Sequence, residues 1–404
     1  MRSGLRALAA SCAAGLLVAC APGGTNESDR HPGPTASGKP SASPGTPFAS
    51  ATGSAAPAAR PGTLAPLRPG EKRLTVRMPQ AYTPSAPTGV GTDDYRCFLL
   101  DPHLKRDTFL TGTNVLPGNP DVVHHVILFR VDPHQVAEAR RMDAGQPGEG
   151  WTCFGGTGLA GDFTNLDDAN WLGAWAPGGK ETVTQRGYGV DLAKGSRIIM
   201  QVHYNLLAGD SPDTSAAQLR VAPQSADLTP LHTVLLPAPV ELPCRPGHDS
   251  SPLCDRAAAV ADVKARFGAG PGSTADLLYF LCGGKPVPSE VTSCTRRVPR
   301  PMTILGVAGH MHLLGRSIRI ETNPGTPEAR TILRIPVWDF DNQGAKPIAP
   351  VHLDALDTVK VTCRHVQWLR DRLPAFQGQQ ERYVVWGEGT TDEMCLGMLQ
   401  VAFD

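Results

Sequence analysis

This chain has no surplus charge of either sign. Its 38 lysines and arginines are matched by 38 aspartates and glutamates, and no long run of like charge occurs. That argues against nucleic acid or an anionic membrane surface as the main partner. A long apolar segment is missing as well: the run Ala7 to Ala19, preceded by Arg2 and Arg6, is too short to cross a bilayer as a permanent helix. It reads instead as an export signal covering residues 1–19. No βαβ rhythm and no internal repeat is visible, which speaks against a parallel α/β sheet and against a solenoid. From Ala21 to about Gly70 aromatics are nearly missing, Phe48 being the one example in a stretch of Pro, Ala, Ser, Gly and Thr. Such a segment buries too little apolar surface to offset its ordering entropy, so residues 20–70 are expected to form a disordered tether.

What is present supports a folded head. At 404 residues with 41% hydrophobic side chains, the chain is long enough for two or three domains with real cores. The signal ends in Leu17-Val18-Ala19-Cys20, which resembles the lipobox of bacterial lipoproteins. That resemblance implies a lipidated Cys20 and an extracytoplasmic protein anchored to the membrane, its head held off the surface by the tether. With Cys12 in the signal and Cys20 lipidated, eight of the ten cysteines remain. An even number in an exported chain favours disulfides over thiolate ligands.

Beyond Glu71 the chain is a succession of short apolar runs separated by Gly, Pro, Asn and Asp, the pattern of an all-β sandwich. Leu74 to Met78, Tyr95 to Leu100 and Arg197 to Leu207 read as strands. Two segments carry helical spacing and are expected as loop insertions: Gln135 to Met142, and Asp255 to Phe267 before a Gly268 stop. A boundary between Pro223 and Pro230 divides the head into units of ordinary size, 71–226 and 227–404.

Histidines then define the chemistry. In the apolar stretch Met302 to Leu314 the pair His310-Met311-His312 places both imidazoles on one face of a strand, with Leu305, Val307, Met311 and Leu313 on the other. Asp392-Glu393-Met394-Cys395 offers a thioether further along. Upstream, His124-His125 lies in Val122 to Arg130; adjacent residues of a regular strand face opposite ways, so both can serve one metal only at a strand end or bulge. In Arg197 to Leu207 the residues Ile198, Met200, Val202 and Tyr204 form a core face, leaving Gln201 and His203 to project together where a ligand or electron-transfer partner could reach them. Each fragment also has a plain structural reading, as solvated histidines or a core methionine. Imidazoles suit zinc, copper, iron or nickel, whereas a thioether is soft and selects copper, especially Cu(I).

Tyr95-Arg96-Cys97, His124-His125-Val126-Ile127-Leu128-Phe129, Gly150-Trp151-Thr152-Cys153, Gln201-Val202-His203-Tyr204, His310-Met311-His312-Leu313-Leu314-Gly315 and Asp392-Glu393-Met394-Cys395 occur in order. In this respect the chain resembles the copper type II, ascorbate-dependent monooxygenases. The resemblance covers most of residues 95–404 and implies two successive jelly-roll-like β-sandwiches, each holding one copper, across a solvent cleft. It implies His124, His125 and His203 as ligands of an electron-storing copper, and His310, His312 and Met394 as ligands of the copper that meets O2 and substrate. Gln201, beside His203, would have an electron-transfer or supporting role. Disulfides Cys97–Cys153 and Cys363–Cys395 follow from the same resemblance. Cys244, Cys254, Cys282 and Cys294 lie in additional sequence and allow three pairings; loop locality favours Cys244 with Cys254 and Cys282 with Cys294.

The pattern is broken where the peptide-amidating branch carries a substrate-carboxylate clamp: this chain has Ala308, Leu396 and Met398 there. A glycine-ended peptide is therefore not the expected substrate. The reading is a dicopper monooxygenase hydroxylating a C–H bond of a small organic molecule with O2 and a reductant such as ascorbate. The alternatives are a copper-binding or copper-handling lipoprotein without turnover, and a structural zinc protein, which Met394 disfavours.

Overall fold

The computed structural model describes residues 64–86, 93–160, 165–268, 270 and 273–404, all within a compact unit spanning Ala59–Asp404. The export signal, Cys20 and the tether up to residue 63 lie outside the described residues.

The fold is all-β. Its first part contains β1 (Lys72–Arg77), β2 (Asp93–Leu100), β3 (Thr108–Leu116), β4 (Val123–Val131), β5 (Trp151–Thr152) and β6 (Trp171–Trp175). It continues through β7 (Thr182–Val183), β8 (Tyr188–Leu192), β9 (Arg197–Asn205), β10 (Ala216–Pro223) and β11 (Thr229–Pro230). One sheet runs β1-β10-β3-β8-β11 with β7 on β3, the other β5-β2-β9-β4-β6. Leu110, Val190 and Leu219 of the first meet Phe98, Val126 and Met200 of the second in one core. This is a sandwich, closed because each strand turns an apolar row inward.

The second part contains β12 (His232–Pro237), β13 (Glu241–Leu242), β14 (Val291–Arg297), β15 (Met302–His310) and β16 (Gly315–Thr322). It ends with β17 (Arg330–Ile335), β18 (Lys346–Leu353), β19 (Thr358–His365), β20 (Val384–Val385) and β21 (Leu396–Phe403). Sheets β12-β21-β15-β18 and β14-β19-β16-β17 enclose a second core, with β13 and β20 paired apart. The parallel pairing of β11 with β8 keeps residues 229–230 in the first part, so sheet membership changes at residue 231 rather than at 226. At the other end, Ala65 and Pro66 are hydrogen-bonded to Glu181 and Arg220, so the expected tether to residue 70 stops short of these positions.

Three α-helices occur among the described residues. α1 (Val136–Ala144) and α2 (Arg256–Phe267) match the helical spacing in the sequence. In α2, the Asp255 side chain accepts from Ala258 N at 2.9 Å, and Gly268 ends the helix at φ 87°, a value that favours glycine. α3 (Thr274–Cys282) was not anticipated, because its apolar run Leu277 to Leu281 has no clean period.

The four disulfides are Cys97–Cys153, Cys244–Cys254, Cys282–Cys294 and Cys363–Cys395. Both local pairings and both long-range ones are as expected. They indicate an oxidising, extracytoplasmic environment. No helix of the described residues is long and apolar enough to cross a membrane.

Candidate metal centre

β4 is irregular where the chemistry requires it. Its pairing with β9 shifts register between Val123 and His125, leaving His124 as a bulge, and this turns two consecutive imidazoles toward one point. His203 comes to the same point from β9. The Nδ1 atoms of His124 and His125 lie 3.3 Å apart, and those of His203 and His125 3.2 Å apart. Ligand atoms of all three rings fall within 4.8 Å of one another. Neutral imidazoles have one N–H and one lone pair, so with the protons on their outer nitrogens the three rings present three converging lone pairs to a cation. The outer side of His203 is fixed: its Nε2 is 2.7 Å from Asp93 Oδ1, and the Thr390 hydroxyl donates to the same carboxylate. A proton on Nε2 leaves Nδ1 as the donor atom, the arrangement in which a carboxylate orients a metal-binding histidine. Tyr95 stacks on the His203 ring at 4.1 Å between centroids.

Gln201 and His203 do not project into solvent. Each is 1% exposed, because the second face of β9 is covered by a small core of Trp151, Ile199 and the Cys97–Cys153 disulfide. Gln201 Nε2 donates to Gly156 O at 2.9 Å. The alternation of β9 is as expected; the cover over its far side is what the sequence did not reveal.

The second group differs from a plain strand pair. β15 ends at His310, and His312 sits in the following turn. Leu305 is a bulge that leaves its expected face and packs into the first core, while Val307 and Met311 stay in the second. His310 Nδ1 is 2.6 Å from Gln343 Oε1, which accepts its proton and leaves Nε2 free. His312 Nδ1 is buried without a hydrogen-bond partner among the described residues. Met394, 8% exposed, precedes β21 rather than lying in it, and lines the same cavity as His310 and His312.

Glu393 builds this turn. Its buried carboxylate accepts from the backbone N–H of His312 at 2.9 Å, of Leu314, and of Met394 at 3.2 Å, and it pairs with His365 at 3.2 Å. Burial alone would raise its pKa; His365 and these donors hold it below the usual carboxylate range. Neighbouring Asp392 is gripped by Arg266 at 2.7 and 2.8 Å and also by Arg382. The sequence marked this segment without showing these roles. Asp93, Gln343 and Phe340 carried no signal of their own.

The two groups adjoin. His125 and His310 have ring centroids 6.2 Å apart, and Phe340 stacks on His124 at 4.5 Å. His125, His310, His312 and Met394 face one cavity of about 90 Å³. A solvent cleft between the groups, implied by the resemblance, is not what this arrangement has.

Burial first, and neighbouring histidines second, lower the pKa of His124 to about 3 and that of His125 well below the ordinary value. Burial likewise lowers His310 to about 3 and lowers His312. These rings are therefore neutral, as ligands must be. In the metal-free chain, His124 binds a proton below pH 6.5 when unfolded but not when folded until about pH 3. Its contribution should therefore fall by about 1.4 kcal/mol per pH unit across that window as pH drops. Thermal unfolding from pH 7 to 5 should show the loss; a melting temperature independent of pH would mean the rings are solvated.

No family model matches this chain, and no curated protein matches it. Among solved structures, it is similar to an allantoicase at 11% identity and TM-score 0.17, covering 73% of this chain and 78% of that one. A Paenibacillus xanthan lyase gives 11% identity and TM-score 0.19, covering 80% of this chain and 26% of the lyase. The VP2 particle protein of infectious bursal disease virus gives 9% and 0.18, covering 82% and 72%. These similarities are too slight to bear on function.

Proposed function

We propose that this protein is a copper-dependent monooxygenase that hydroxylates a C–H bond of a small organic substrate using O2 and an external reductant such as ascorbate. The observation that carries the reading is the meeting of two histidine groups, one joined by a thioether, on a single largely apolar cavity. The donor set fits copper: three converging Nδ1 atoms in one group, and in the other a free Nε2, an orphaned buried Nδ1 on His312 and a soft sulfur. His124, His125 and His203 would hold one ion, and His310, His312 and Met394 the other. Two copper ions would supply the two electrons that hydroxylation with O2 requires, one each.

The chain's own groups set the conditions. Asp93 and Gln343 fix the tautomers of His203 and His310, and Glu393 fixes the turn that carries His312. Segment 388–394 touches both groups, since Tyr95 OH donates to Glu388 O at 2.8 Å, Thr390 reaches Asp93, and Met394 ends the run. The disulfides suit export, and lipidation at Cys20 would hold the head at a membrane.

Metal analysis should return two coppers per chain and one for His203→Ala, with copper-dependent O2 consumption in ascorbate across small apolar, amine and peptide substrates. One copper in the unaltered protein, or no loss in His203→Ala, would overturn the two-ion assignment. Two tightly held coppers with no O2 consumption on any substrate would leave a copper-handling lipoprotein.

A further inference from the structure

We propose that the cavity shared by the two histidine groups binds an uncharged, mainly apolar molecule through one hydrogen-bonding group that meets the Glu388 carboxyl, with α3 as its apolar wall. The inference deepens the reading above by naming the substrate class, and rests on it only for what happens after binding.

The wall comes first. Thr274, Leu277, Leu278 and Leu281 line the cavity at the spacing i, i+3, i+4, i+7, so one face of α3 is turned to it. Leu277 is 48% and Leu281 43% exposed, a leucine stripe that the protein itself leaves incompletely covered. The helix is fixed in place. Cys282 ties its end to β14 through Cys294, and Asp276 pairs with Arg256 of α2 at 3.2 Å. Trp171, Leu235 and Leu396 continue the apolar lining on other sides. Rigid apolar surface facing a cavity matches an apolar ligand.

Apart from the histidine groups, the acid of the lining is Glu388: among the described residues no lysine, arginine or second carboxylate lines the cavity. Among the other buried acids, Asp94 and Asp213 are held by hydroxyl and backbone donors, whereas Glu241 pairs with Arg256, Glu381 with Arg245 and Asp392 with Arg266. Glu388, 3% exposed, has no such partner within 4.0 Å among the described residues. It is instead hydrogen-bonded by the Trp386 side chain and lies flat against Gly155, where a Cβ would come within 2.6 Å of its carboxyl oxygen. Burial raises its pKa to about 8, so at neutral pH it carries a proton to donate.

Charge then decides the ligand class. Beside Glu388 in the metal-free cavity, a carboxylate ligand would be a buried anion with no lysine or arginine among the described lining residues, which is costly. An ammonium would require Glu388 to ionise in apolar surroundings, desolvating two charges for one contact. A neutral oxygen such as an alcohol, ether or ketone needs neither.

The test uses the full chain, chelator-treated, at pH 6.5, with 1-hexanol, hexylamine and hexanoate titrated by calorimetry. Saturable binding of 1-hexanol, roughly tenfold or more tighter than either charged homologue, is expected, since an uncompensated polar or charged group costs at least 1.4 kcal/mol. Glu388→Leu should weaken 1-hexanol roughly tenfold, and Glu388→Gln, which keeps a donor, should recover most of that loss. Leu277→Asp, at a half-exposed position where the fold survives, should abolish binding. Hexylamine or hexanoate binding as tightly as the alcohol, no binding of 1-hexanol, or indifference to both Glu388→Leu and Leu277→Asp would each overturn the proposal. Because binding is read without metal, two coppers and O2 consumption with no hexanol binding would sink this inference alone, whereas hexanol binding by a protein that takes up no copper when copper is supplied would sink the monooxygenase reading alone.

Discussion

Glu393→Ala should unfold far more easily than the unaltered protein and lose the copper of the His310, His312 and Met394 group while keeping the other. The wild-type carboxylate is 0% exposed and satisfies three backbone donors as well as His365, itself 1% exposed. Alanine leaves all four groups buried without that acceptor. Leaving a buried donor without its acceptor costs about 1–3 kcal/mol for each group. The metal effect follows from the same bonds, because two of the donors, His312 N and Leu314 N, define the turn that aims the His312 ring. Nothing on Glu393 touches His124, His125 or His203. Denaturant unfolding combined with copper analysis checks both halves; an unchanged midpoint with two coppers retained would show that the turn holds itself.

Met394→His should abolish or greatly slow oxygen-dependent hydroxylation with the first group's copper retained. A thioether is a soft, weak donor favouring Cu(I), and an imidazole in its place is harder and favours Cu(II). Met394 also belongs to the second core, so a loss of activity could arise from packing. Met394→Leu separates the two: volume and apolarity are kept, and stability should change by less than about 1.5 kcal/mol. If the sulfur is a ligand, the leucine variant is as stable as the parent yet inactive. Full activity in either variant would show that Met394 is a core side chain and no more.

Local pattern was legible wherever its cause was local. The alternation of Ile198, Met200, Val202 and Tyr204 gave the core face of β9, and these four side chains do lie in the first core. Asp255 and Gly268 delimited α2 because capping is a matter of a few residues. The need for a bulge at His124-His125 followed from the two-residue period of a strand, and the register shift is there. Short loops favoured Cys244–Cys254 and Cys282–Cys294, and both pairs formed.

The sequence by itself determined an all-β chain with disulfides, and brought into view three histidines that converge as a group able to hold a metal. Periodicity, turn residues and cysteine parity are read along the chain, so distance in sequence does not blur them. The tertiary structure decided what periodicity cannot carry. It covered the second face of β9 and so buried Gln201 and His203. It turned Leu305 into the other core through a bulge, and ended β15 at His310. It brought Asp93 to His203 across 110 residues through the pairing of β2 with β9, and Thr390 to His203 across 187 through the loop before β21, contacts that local preference does not set. It set His125 beside His310, and it left Glu388 on a largely apolar cavity with no cationic partner among the described residues, because a side chain's partners are fixed only when distant strands close around it.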